Sequence, residues 1–290
     1  MKNIILMPNA KKDIDFSISK KVIEVLVRNN AKIYVDSSFE DEFQNERVIC
    51  VDVNKIDCDI DAIVVVGGDG SILDASVYAI KHNSPILGIN LGRLGYLSEI
   101  DTNKIDELDK LFTGEYRINE HMTFDVSICK NGEVITTERK AVNDVVISHE
   151  HSFGISDFEL SDGIGNILTY RADGIILSTP IGSTAYSLSA GGPAIDSSLE
   201  AICVTPICTH SFFNRSILFS PKLSISVKHV SRNDEELCVN IDGRDTYSLS
   251  YGDTVTVTKS DVPFKMIVIG NSGMLGVIYK KMNYNFDFGR

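Results

Sequence analysis

The segment Gly67-Gly68-Asp69-Gly70-Ser71 sets one carboxylate inside a glycine-rich turn. It follows the apolar, β-branched run Ala62–Val66 and precedes Ile72 and Leu73, so it reads strand, turn, helix. Glycines there let a backbone approach a phosphate, and the free N–H groups of a helix start favour an anion. An acidic side chain would repel a pyrophosphate laid directly on it. Asp69 therefore suits a different role, either accepting or orienting the proton of a hydroxyl or meeting a metal. The plain alternative is a cap on the helix that follows. Two familiar patterns are absent. Leu73 stands where a dinucleotide fingerprint needs its third glycine, and no GxxxxGK[ST] phosphate loop occurs.

Three further stretches carry site-like chemistry. Asn90-Leu91-Gly92-Arg93-Leu94-Gly95-Tyr96-Leu97 follows another apolar strand. Its paired glycines allow close backbone packing on a ligand, and Tyr96 offers a flat ring for a base; a tight turn with a core tyrosine is the alternative. Asn143-Asp144 opens Val145-Val146-Ile147. An amide beside a carboxylate can clasp ribose hydroxyls, or can simply be a strand-end turn pair. Residues 169–193 are dense in glycine and small hydroxyls, with Arg171 and Asp173 at one end. Such a run supplies many N–H and O–H groups and little core. It lacks G-x-S-x-G, which argues against a serine hydrolase.

Strand and helix patterns alternate over the first ~115 residues, as a parallel sheet flanked by helices requires. Ile4–Met7, Ile33–Val35, Ala62–Val66 and Pro85–Ile89 read as strands. Ile18, Val22 and Leu26 define one helix face, and Ile72, Leu73, Val77 and Ile80 another. After residue 117 the period becomes two. Phe124, Val126 and Ile128 alternate up to Asn131-Gly132, a two-residue hairpin signal, and Val134 and Thr136 continue beyond it. Leu223/Ile225/Val227, Leu237/Val239/Ile241 and Val255/Val257 repeat the pattern of an antiparallel sandwich. Phe264–Ile269 predicts a last strand and Met274–Met282 a helix, both returning to the first domain. The expected division is 1–117 plus 266–290 for the α/β domain and 118–265 for the β-sandwich.

The chain has 290 residues and a formal net charge of −12. That balance argues against a phosphate-coating nucleic-acid binder and an anionic-membrane partner. No apolar run reaches the ~18 residues of a membrane span, and MKNIILMPNA reads as a first strand rather than a signal peptide. The six cysteines (50, 58, 129, 203, 208, 238) form no CxxC. They read as core fillers of a reduced, cytoplasmic protein.

Together, Gly67–Ser71, Asn90–Leu97, Asn143-Asp144 and Arg171–Pro193 resemble the NAD kinase family. The glycine turn alone is shared with lipid kinases of the diacylglycerol type. The run Thr179-Pro180-Ile181-Gly182-Ser183-Thr184-Ala185-Tyr186 onward is far more specific to NAD kinases. The resemblance implies an α/β domain plus a β-sandwich. It implies transfer of the γ-phosphoryl of ATP to the 2′-hydroxyl of the adenosine ribose of NAD+, with a divalent metal such as Mg2+ carried by the nucleotide. It makes Asp69 the hydroxyl-orienting group or proton acceptor, with Gly70 admitting the ribose. Asn143 and Asp144 would hold the adenosine part. Thr184, Ala185, Tyr186 and Ser189 would line the dinucleotide groove. Arg171 and Asp173 would meet the nicotinamide end, in the family often from a neighbouring subunit, which implies a homo-oligomer. The family usually has Glu where Asp144 stands. A lipid kinase, or a dinucleotide sensor with no need of Asp69, are the competing expectations.

Overall fold

Asn3–Pro8 (β1), Lys32–Asp36 (β2), Val48–Val51 (β3), Ala62–Gly67 (β4) and Ile86–Asn90 (β5) are the parallel core of an eight-stranded sheet. The computed structural model describes residues 1–43, 45–92, 95–149, 154–165, 167–231, 237–270 and 276. Ile100–Asp101 (β6) pairs with β5. Lys110–Thr113 (α3) leads to Arg117–His121 (β7). Much later in the chain, Phe264–Val268 (β20) enters the same sheet, giving the order β3-β2-β1-β4-β5-β20-β7. Glu99 secures this returning segment: its Oε1 accepts from the N–H groups of Ile269 (3.0 Å) and Gly270 (2.7 Å). The expected helix Met274–Met282 and the tail 283–290 fall outside the described residues, apart from helical Gly276.

Every residue of β4 is buried, which is why its sequence is a continuous β-branched run rather than an alternation. Helix Ser17–Arg28 (α1) starts where Asp13, itself buried, accepts from the N–H groups of Ile18 (3.0 Å) and Ser19 (2.8 Å). Helix Asp69–His82 (α2) buries Ile72, Leu73, Ala75, Ser76 and Ala79. The expected face was partly wrong: Val77 is exposed and Ile80 only half-buried. Small residues win the inner face because the helix lies close to the sheet. A Cβ on Gly88 of β5 would lie 2.5 Å from Ile72 Cδ1.

The other unit is an antiparallel β-sandwich. One sheet runs β15-β14-β13-β10-β17-β18 and the other β12-β11-β16-β19-β8-β9. In the first sheet these are Ile217–Phe219, Ile202–Ile207, Gly174–Ser178, Asp144–His149, Leu237–Ile241 and Asp245–Leu249. In the second they are Ile167–Ala172, Ser156–Ser161, Ile225–His229, Thr254–Lys259, Phe124–Lys130 and Glu133–Thr136. Phe124, Val126 and Ile128 of one sheet share a core with Val145, Ile147 and Val239 of the other. The Asn131-Gly132 hairpin forms with both residues at positive φ, 51° and 86°. Beyond it all four residues of β9 are exposed, because it is an edge strand past the core. By compactness the chain divides into Met1–Glu120 with Phe264–Arg290, and His121–Pro263.

The cysteines correct one expectation. Cys203 and Cys238 are buried, but Cys58 and Cys208 are exposed and all six are free.

Candidate active site

In the α/β unit the site is built at the carboxyl ends of neighbouring strands. Gly67 ends β4, Gly68 is the N-cap of α2, and Asp69 and Gly70 are its first two residues. No side chain caps this helix, so the cap reading of Asp69 fails. Its carboxylate turns instead to the segment after β5. Oδ2 accepts from Tyr96 N–H at 2.8 Å and Oδ1 from Leu97 N–H at 3.0 Å. Gly95 is required there: its Cβ would stand 2.0 Å from Asp69 Oδ1. Gly92 is not, since its Cβ would meet nothing within 4 Å. Burial, reinforced by the charge of Asp69, pushes the Tyr96 hydroxyl up. Arg93 and Leu94 lie outside the described residues.

Asn9, just beyond β1, completes this corner. Its Nδ2 donates to Ser71 Oγ at 2.7 Å, and its Oδ1 accepts from the N–H groups of Lys11 (3.1 Å) and Lys12 (3.2 Å). A Cβ on Gly67 would lie 2.3 Å from Ser71 Oγ. The sequence reading missed Asn9. An Asn straight after an apolar strand was its only signal.

The β-sandwich carries a cavity of about 350 Å³ lined by Asn143, Asp144, Val146, Ala185, Tyr186 and Asp242, among others. Asn143 Oδ1 is buried with no donor among the described residues. Asp242 also escaped the sequence reading. It sits at φ 53° in the turn before Gly243, and its carboxylate holds the Asn143-Asp144 corner. It accepts from the N–H groups of Val142 (2.9 Å), Asn143 (2.7 Å) and Asp144 (3.0 Å). An Asp-Gly between two period-2 strands was its visible signal.

Two buried carboxyls therefore belong to one corner. Burial, then the charge of Asp242, pushes Asp144 up to about 7. Burial also pushes Asp242 up, but its three N–H bonds oppose this. The charge consequently rests on Asp242 and the shared proton on Asp144.

The hydroxyl-rich run divides its labour. Ser183 Oγ donates to Pro180 O (2.6 Å) and accepts from Ile195 N–H (2.9 Å). Thr179 Oγ1 donates to Val142 O at 2.6 Å. Ser187 Oγ meets Thr205 Oγ1 at 3.0 Å. These buried hydroxyls shape the wall, and the short helix Tyr186–Ser189 (α4) presents Tyr186 at its surface, 47% exposed. Gly182 lies against Asn143, where a Cβ would be 2.0 Å from the carbonyl oxygen. Thr184, half-buried, donates to Ile181 O at 3.3 Å, and Ser189 is exposed. Neither lines the cavity. Arg171 and Asp173, at the junction of β12 and β13, do not line it either. Their backbones are tied to the end of β14 and the segment after it: Arg171 O accepts from His210 N–H (2.7 Å), and Asp173 N–H donates to Ile207 O (3.0 Å).

Comparison with known proteins agrees with this architecture. Residues 4–116 match the family model for the ATP-NAD kinase N-terminal domain and residues 142–269 that for the ATP-NAD kinase C-terminal domain. An NAD kinase from a Thermoanaerobacter species is 33% identical over 287 residues, covering 97% of this chain and 99% of its own. One from Lachnoclostridium phytofermentans is 34% identical over 277 residues, covering 92% and 94%. Among solved structures, yeast NADH kinase complexed with NADH superposes with TM-score 0.86 at 22% identity, covering 98% of this chain and 88% of that one. An Archaeoglobus fulgidus NAD kinase in complex with ATP gives 0.71 at 24%, covering 97% and 99%. The chain belongs to the NAD kinase family, the phosphotransferases that move the γ-phosphoryl of ATP to the 2′-hydroxyl of the adenosine ribose of NAD+.

Proposed function

We propose that in this reaction Asp69 takes or orients the proton of the attacking 2′-hydroxyl. The β-sandwich corner holds the adenosine part of NAD+. The observation that carries this is the double anchoring of Asp69 by Tyr96 and Leu97. Each carboxylate oxygen accepts one N–H and keeps a further lone pair. The group is thus fixed without being used up, as a positioned base requires. Gly70, exposed beside it, leaves room for the ribose, and Tyr96 flanks the same carboxylate.

The corner of Asn143 and Asp144 suits a ribose. Asn143 Oδ1 accepts from one hydroxyl, and Asp144, protonated near neutrality, donates to another. Ala185 and Tyr186 give the ring system an apolar wall. Thr184 and Ser189, outside the cavity, meet the part of the dinucleotide that extends beyond it. Arg171 and Asp173 serve the nicotinamide end of a neighbouring subunit's site, so the active form is a homo-oligomer. Mg·ATP is the second substrate. Phosphoryl transfer has a loose transition state, so positioning and charge neutralisation carry it. Six free cysteines suit a cytoplasmic setting. The test is a coupled assay of the protein with NAD+ and Mg·ATP, read by an NADP-specific dehydrogenase. ATP-dependent NADP+ is expected; none under any ATP concentration would end this reading.

A further inference from the structure

We propose that Asp242 is a positioning residue of the NAD+ site. Its carboxylate fixes the Asn143-Asp144 corner and obliges Asp144 to meet a sugar hydroxyl as a hydrogen-bond donor, so that NAD+ binding is linked to a proton and weakens as the solution turns alkaline. The proposal rests on the kinase reading above and adds how the dinucleotide pocket is held and charged.

Asp242 is 4% exposed and stands in the turn between β17 and β18, where it and Gly243 both adopt positive φ, 53° and 67°. Its own N–H donates to Asp144 O at 3.0 Å, so backbone and side chain clasp the same strand start. Oδ1 accepts from the N–H groups of both Asn143 and Asp144, and Oδ2 accepts from that of Val142. Two oxygens turned to three N–H donors favour the ionised form, because each such bond is stronger to a charge. Three consecutive N–H groups held by one side chain also fix the backbone from which Asn143 and Asp144 enter the cavity wall.

Asp144 lines the cavity and is 6% exposed, and among the described residues no cation lines the cavity with it. From β17 it faces the carboxylate of Asp242. Its register partner on β13 is Ser178, and beyond that Cys203 of β14 is kept as a thiol by burial. From α4 the cavity receives Tyr186. Arg139, whose charge favours the ionised Asp242, is itself paired through Nε with Asp245 Oδ2 at 3.2 Å. A second ionised carboxyl here would be buried beside a fixed like charge, so Asp144 holds its proton up to about 7. Protonated, it is an O–H donor, while the buried Asn143 Oδ1 is an acceptor. A donor beside an acceptor matches two neighbouring sugar hydroxyls. Above neutrality the donor is lost, and two negative charges face an anionic dinucleotide.

The test is calorimetric titration of the full chain with NAD+ alone from pH 6 to 8.5, in buffers of different ionisation enthalpy. Kd for NAD+ should rise above pH 7 by up to about tenfold per pH unit, the limit for one linked proton, and binding at pH 8 should take up about one proton. Asp144→Asn supplies a permanent amide donor, so its Kd should stay level across the range with no proton taken up. Asp242→Asn tolerates the same left-handed turn but leaves one oxygen for three N–H groups. Its Kd at pH 6 should rise about tenfold, with kcat changed less. The midpoint of its pH dependence should also move to lower pH, because the like charge is gone. If Asp242→Asn fails to fold, Asp144→Asn and the proton uptake of the wild type decide. A level Kd in the wild type would overturn the proposal, as would Asp144→Asn with the wild-type slope or a folded Asp242→Asn with an unmoved midpoint. A wild type that neither binds NAD+ nor makes NADP+ at any pH would instead overturn the kinase reading.

Discussion

Asp69→Asn isolates the charge of the proposed catalytic carboxylate from its shape. The amide can still accept from one of Tyr96 and Leu97, but its NH2 end must face the other N–H. We expect kcat to fall by ~10²–10⁴, the span of general-base help, with KM for NAD+ changed far less. Steady-state kinetics check this, and near-normal kcat would remove Asp69 from the chemistry. Asp144 makes a separate prediction. Unfolded, it ionises near 3.8; folded, it keeps its proton to about 7. Between those values the native state binds more protons, so stability falls as pH rises through that window and levels off above it. Asp144→Asn should flatten this slope. At pH 8 it should raise Tm by at least about 2–4 °C, the shift ~1 kcal/mol gives in a domain of this size. Asp144→Ala should raise KM for NAD+ about ten- to hundredfold, the loss of a charged or buried hydrogen-bond partner. Melting curves from pH 4 to 8 and kinetics at neutral pH test the two halves. Asp69 and Asn143-Asp144 were legible because unusual residue types stood beside apolar strands. Asp242 was not, because its three N–H partners lie about a hundred positions away in the chain.

The glycines show what a turn needs. Gly182→Ala would drive a Cβ to 2.0 Å from Asn143 O and 2.4 Å from its carbonyl carbon, contacts that backbone cannot relieve cheaply. Overpacking of this kind costs ~1–3 kcal/mol or more, and here it also displaces the Asn143 corner. Gly92→Ala meets nothing within 4 Å and should stay within ±0.5 kcal/mol. Thermal melts and KM for NAD+ on both variants check the contrast; equal effects would refute it. Sequence spacing could not separate such glycines, since the difference lies in what packs above each one. Strands β1, β2, β4 and β5, α1 and the Asn131-Gly132 hairpin were readable because each obeys one period with clear punctuation; β3 was missed, and its four residues are only half-buried. The inner face of α2 was misjudged because proximity to Gly88 selects small residues there, against the hydrophobic pattern. In β9, Val134 and Ile135 follow a strand pattern yet lie exposed, because among the described residues nothing covers that edge.

At the scale of the whole molecule, Arg171 and Asp173 predict assembly. They stand apart from the cavity of their own β-sandwich, which is compatible with the proposed role at a neighbouring subunit's site. Closed symmetric oligomers are the usual solution. Light scattering at assay concentration should show an oligomer, and Arg171→Ala should raise KM for NAD+ without changing kcat as much. An active monomer would refute the assignment. The net charge of −12 sets the background against which both anionic substrates bind. Local donors, not the overall field, must therefore supply the attraction.

The position of β20 has a consequence for how the protein is made. The strand lies between β5 and β7 in the sheet but follows the entire β-sandwich in the chain. On the ribosome, residues 121–263 emerge whole before β20 does, so the sandwich can close while the first sheet still waits for a strand. Until then β5 exposes backbone that nothing satisfies along most of its length, and such an edge invites pairing with other chains. A chain ending near Pro263 would carry a complete sandwich attached to an unfinished, adhesive sheet. Chaperone demand should therefore extend past release, until β20 has docked.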